Sequence, residues 1–143
     1  MATLITLYIR LQSAIARVIR ERMHTTSHLS PVDTAVALAK VGGDQQLLQG
    51  LMRVFQQHGP DQLRKLKTAL QAGTAQASER CAHTLRGSLS AIGAVTAYEI
   101  TTTIETLVRE ERLQEALALL PSLDAEMARI MEFLVTFAPP SQP

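Results

Sequence analysis

His83 is followed three and four residues later by Arg86 and Gly87. On a helix such spacings share one face, so an imidazole, a permanent cation and a bare patch of backbone would lie together. A wheel of about 100° per residue, with Leu85 pointing inward, puts Ser78, Cys81, Ser88, Leu89 and Ile92 within about 60° of it. Gln76, Glu79, Arg80, His83, Gly87 and Ser90 fall on the far side, with Arg86 at the flank. His83 is thus predicted to stand in solvent near the middle of a long helix. Glycine at position 87 costs a helix about 1 kcal/mol against alanine, which implies a compensating use for the space above the ring. Ser90 and Ala91 extend that small surface. A neutral imidazole nitrogen is a good nucleophile near pH 7, and arginine binds oxyanions without losing its charge. Phosphoryl transfer to the ring is the chemistry these parts fit, since an acceptor needs little beyond position and electrostatic help.

The other reactive side chains carry less. Cys81 falls on the inward side and reads as a small buried filler. His24 and His28 are four apart in a polar linker with no acidic or thiol partner near them in sequence. His58 precedes Gly59-Pro60, where an imidazole suits the negative end of a helix dipole. Gly42-Gly43-Asp44 lacks the Lys-Ser/Thr of a phosphate loop, so ATP binding is not expected. Around His83 only Glu79 is an acid within one turn, so a metal held by this chain is not expected.

Punctuation marks out the elements that position these residues. An amphipathic helix runs from about Thr3 to Met23, with Leu4, Tyr8, Leu11, Ile15 and Val18 on one stripe. A linker, His24 to Ser30, follows it. Asp33 caps a short helix to about Val41, which Gly42-Gly43 stops, and Asp44 caps the next, with Leu47, Leu51 and Phe55 on its inner face. Gly59-Pro60-Asp61 reads as a break that restarts a helix carrying Leu63, Leu66 and Leu70 to Gly73. The helix of His83 spans about Thr74 to Ile92. Another spans Val95 to Glu110, with Ala97, Ile104, Leu107 and Val108 inward. A last helix from about Leu113 to Phe137, bent at Pro121, turns Leu113, Leu117, Leu120, Met127, Ile130, Leu134 and Phe137 inward. No strand pattern appears. The expected fold is all-α: an up-and-down antiparallel four-helix bundle with additional N-terminal helices, divided into residues 1–30, 31–138 and a disordered tail, 139–143.

Composition agrees and excludes classes. The chain has 143 residues, 46% of them hydrophobic and only 3% aromatic, a helix-forming palette for one domain. Its net charge of +1 gives no field for nucleic acid. Arg10, Arg17, Arg20 and Arg22 against Glu21 leave +3 on residues 1–30 and −2 on the rest. With one cysteine and no apolar run long enough to span a bilayer, the expectation is a cytoplasmic protein in a reducing compartment. The first helix has three open uses: packing on the bundle or a second copy, connecting to a larger kinase, or lying on an anionic membrane.

Ala82-His83-Thr84-Leu85-Arg86-Gly87-Ser88, followed by Ile92-Gly93-Ala94, resembles the signature of histidine-containing phosphotransfer (HPt) domains. The likeness extends to Ala37-Leu38, Val41-Gly42-Gly43-Asp44, Leu47-Leu48, Phe55, Pro60, Leu63/Leu66/Ala69-Leu70, Gly73 and the Leu119 to Leu123 stretch, and so covers about Asp33 to Phe137. Arg86 stands where the family usually has lysine. The resemblance implies that His83 takes a phosphoryl group from a receiver-domain aspartate and passes it to another receiver in a multistep relay, with Arg86 stabilising the group and Gly87 giving clearance. Glu79, Arg80, Ser90 and Ala91 would meet the partner. The implied partners are response-regulator receivers and a hybrid sensor histidine kinase, with Mg²⁺ brought by the receiver and no cofactor in this chain. It would be a carrier without kinase activity, monomeric or weakly dimeric through the first helix. Two rivals stay open: the phosphoacceptor part of a sensor kinase, disfavoured because Thr84 rather than an acid follows the histidine, and a receiver-binding module without relay activity.

Overall fold

The computed structural model describes residues 30–137 together with Leu4, Thr6, Leu7, residues 9–11 and 13–15, Arg17 and Val18. The chain divides into two units, Met1–Ser30 and Pro31–Pro143. In the first, the described residues between Leu4 and Val18 are helical, and Leu4, Leu7, Ile9, Leu11, Ile15 and Val18 are exposed. Tyr8, Arg20, Glu21, Arg22, the linker histidines 24 and 28 and the tail 138–143 lie outside the described residues.

The second unit contains α1 (Thr34–Lys40), α2 (Gln45–Gln71), α3 (Ala75–Ala91), α4 (Val95–Arg109), α5 (Leu113–Ala118) and α6 (Leu120–Phe137). Four long helices, α2, α3, α4 and α6, form the bundle, and no strand occurs among the described residues. The Asp33 and Asp44 carboxylates accept the backbone N–H groups of Val36 and Leu47 at 3.1 and 3.0 Å and so start α1 and α2. Gly42, Gly43, Gly73 and Gly93 turn the chain at positive φ. At Gly93 glycine is required twice over: a Cβ there would strike the Asp33 carbonyl and Ala37, against which α1 rests. The Asp33 N–H donates to the Gly93 carbonyl at 2.8 Å, and Lys40 Nζ donates to the Ser90 carbonyl at 2.9 Å. These contacts fix α1 on the end of α3.

Three expectations from the sequence are corrected. First, the chain does not break at Gly59-Pro60-Asp61: α2 runs through Pro60 without interruption. Proline removes one backbone donor and crowds the carbonyl four residues back, a cost of about 3 kcal/mol in a helix interior. It is offset because one buried stripe, Leu48, Met52, Phe55, Gly59, Leu66 and Leu70, continues in phase across it. Gly59 packs against the Phe55 ring. His58 therefore sits inside a helix rather than at its end. Second, the inward face of α2 keeps Phe55 but takes Leu48 and Met52 in place of Leu47, which is exposed, and Leu51, which is half-buried. Third, the last helix is not bent but broken, with α5 ending at Ala118, Leu119 as its cap and α6 beginning at Leu120, so that Pro121 occupies a first turn where its missing donor costs little. Ala116 and Leu119 take the inward positions there, with Leu113 and Leu117 half-buried.

Candidate functional site

α3 runs antiparallel between α2 and α4 and buries Ser78, Ala82, Leu85 and Leu89. That burial turns His83 outward, with 64% of its side chain exposed. Cys81 departs from the expected buried filler, because it is half-buried and lines a surface cleft.

The ring does not stand alone. Nδ1 lies 3.2 Å from Oε1 of Glu105 on α4, a carboxylate only 1% exposed. Sequence reasoning found Glu79 and missed this second acid. Its signal was faint: Glu105 sits at the edge of the arc made by Ala97, Thr101, Ile104 and Val108, where a carboxylate on a buried stripe calls for a partner. Arg86 Nη2 is 3.0 Å from His83 Nδ1, and Arg86 Nε is 3.0 Å from Glu105 Oε2. The latter is an ion pair without an aligned hydrogen bond, since Oε2 has no hydrogen-bond donor. Arg109, one turn further along α4, donates to Glu105 Oε1 and, through Nε, to Glu79 Oε1 at 2.7 Å. The Glu79 bond and then the Glu105 charge raise the Arg109 pKa above its ordinary value. Two guanidiniums thus face this buried carboxylate and offset its lost hydration.

Nδ1 can serve only one of its two neighbours. Arginine can only donate, so a bond from Arg86 requires a bare Nδ1 and leaves the proton on Nε2. A carboxylate can only accept, so a bond to Glu105 requires a protonated Nδ1 and leaves the Nε2 lone pair free. The second arrangement makes the outward nitrogen a nucleophile.

The remaining site residues divide between the two shoulders of α3. Glu79 joins the Arg109 network, and Ser90 Oγ accepts from Lys40 Nζ at 2.9 Å. Arg80 is exposed and Ala91 half-buried, and neither enters the His83 network. Gly87 is exposed, and a Cβ added there would meet nothing within 4 Å. Among the described residues, no three His, Cys, Asp or Glu side chains are placed to hold a metal ion, and no helix is long and apolar enough to cross a membrane.

A family model described as Hpt domain matches residues 50–133. The crystal structure of histidine-containing phosphotransfer protein B (HptB) from Pseudomonas aeruginosa PAO1 is similar, with a TM-score of 0.71 and 27% identity. The match covers 80% of this chain and 99% of that one. No curated protein matches the chain.

Proposed function

This chain belongs to the Hpt domain family, the histidine phosphotransfer carriers of phosphorelays, and from that premise we propose that His83 is its phosphoacceptor. The carrying observation is an exposed imidazole whose inner nitrogen faces a buried carboxylate. With Nδ1–H held by Glu105, the Nε2 lone pair attacks the phosphorus of an aspartyl phosphate on a docked receiver domain. The N–P bond forms as the P–O bond breaks, and the electron pair leaves on the receiver's aspartate. The ring becomes a phosphoimidazolium, and Glu105 carries the matching negative charge beside it. Transfer to a second receiver reverses the same steps.

Arg86, held at Glu105 in the free chain, turns its outer N–H groups to the phosphoryl oxygens. Gly87 serves neither a turn nor internal packing, because its added Cβ meets open space. Its cost to the helix is met by the room it leaves an incoming partner. Glu79, Arg80, Ser90 and Ala91 surround this crown and form the docking rim. The Mg²⁺ of the chemistry belongs to the receiver in this proposal, and the chain acts as carrier, not kinase. The donor receiver belongs to a hybrid sensor kinase and the acceptor to a response regulator.

The test is transfer of label from a receiver phosphorylated on its aspartate. Acid-labile label is expected on the wild-type chain and none on His83→Gln. Equal label on both overturns the proposal.

A further inference from the structure

On the shoulder of α3 away from Glu105, a cleft of about 480 Å³ opens against α2. Arg80, Cys81 and Thr84 line it from α3, and His58, Gln62 and Lys65 from α2. Arg80 precedes His83 by three residues, so the two are neighbours on the helix surface. The mouth of this cleft therefore opens beside the face of α3 that carries His83.

The cleft is short of negative charge. Arg86 and Arg109, the other cations around His83, are committed to Glu105 and Glu79. The Arg80 guanidinium has no acidic or hydrogen-bonding partner among the described residues. The cleft's one carboxylate, Asp61, is shared between Arg64 and Lys65 and has none to spare.

We propose that this cleft is the recognition pocket for the receiver, which places an acidic side chain on Arg80. This rests on the reading of His83 as phosphoacceptor. Arg80 is then a specificity-determining residue: it acts on which receiver docks, while Arg86 and Glu105 act on the transfer itself.

The experiment compares phosphotransfer from one aspartyl-phosphorylated receiver to the wild-type chain, Arg80→Glu and Arg53→Glu. Arg53 is an exposed cation on α2 outside the cleft, so its variant matches the change in net charge. Circular dichroism checks that each is folded. Arg80→Glu is expected to lower kcat/KM by at least about tenfold, mainly through KM, while Arg53→Glu stays within about twofold. Reversing the contacting acid of the receiver to lysine should restore transfer to Arg80→Glu. The receiver should also slow alkylation of Cys81, the single cysteine of the chain, by iodoacetamide. Equal rates for wild type and Arg80→Glu, or equal losses in both variants, overturn the pocket and leave the acceptor intact. A wild-type chain that takes no label from any receiver overturns the acceptor reading and the pocket with it.

Discussion

Replacing Glu105 by glutamine isolates the charge beneath the imidazole, because size and an accepting oxygen are kept. In the Nδ1–H tautomer the bond from the ring ends on a carboxylate that is 1% exposed. Hydrogen bonds to charged groups contribute roughly 1.5–3 kcal/mol and neutral ones roughly 0.5–1.5, so the substitution removes about 1 to 1.5 kcal/mol of preference for the Nδ1–H tautomer. That is about a tenfold smaller ratio of reactive to unreactive ring, since about 1.4 kcal/mol is a factor of ten. Arg86 then has less competition at Nδ1 and pushes the proton further toward Nε2. The side chains of Arg86 and Arg109 are 26% and 53% exposed, so both keep access to water when their carboxylate is gone. The chain is therefore expected to stay folded. The assay pairs the rate of label transfer from a phosphorylated receiver with ¹⁵N chemical shifts of the His83 ring. Transfer is expected to slow by about tenfold as the shifts move toward the Nε2–H tautomer. A rate within about twofold of wild type, or a wild-type ring already in the Nε2–H form, refutes the tautomer argument.

Gly87→Ala should stabilise the free chain by about 0.5–1 kcal/mol in urea unfolding, as helix propensity dictates where nothing clashes, yet slow transfer from a receiver. A variant both more stable and fully active would remove the clearance role. Asp61 is held below the usual carboxylate range by its hydrogen bond from Arg64 and then by Lys65. A depressed folded-state pKa contributes stability above the unfolded value of about 3.9 and loses it as pH falls through the folded value. The urea midpoint of wild type should exceed that of Asp61→Asn by a steady margin from about pH 6 down to about pH 4 and converge with it at lower pH. A margin that persists or widens at about pH 2.5 would contradict the pairing.

Much of this architecture was legible in the chain because its signals are local. Asp33, Asp44, Gly42-Gly43, Gly73 and Gly93 act through their own backbone, and the wheel of α3 followed from Leu85 and Leu89 alone. Proline 60 was misjudged because its effect depends on tertiary burial: counting Gly59 as a core position restores a stripe that passes through it in phase. Pro121 acts in the opposite sense, since the apolar pattern of α5 and α6 looks continuous although the helix ends at Ala118, with Leu119 as its cap. In the site, His83, Arg86 and Gly87 could be read together because they lie on one helix. Glu105 and Arg109 could not, because 22 residues separate Glu105 from His83 and only the packing of α4 on α3 joins them. Cys81 shows the same limit: a wheel gives a direction, but whether α2 closes over that direction is decided between helices.

In the proposed mechanism the outward nitrogen of His83 receives the phosphoryl group while its inner nitrogen keeps a proton for Glu105. Correlated ¹H, ¹⁵N and ³¹P NMR of the phosphorylated chain reads this directly. Phosphorus bonded to Nε2 of His83, with Nδ1 protonated, is the expected result. Phosphorus on Nδ1, or on any other residue, would contradict it.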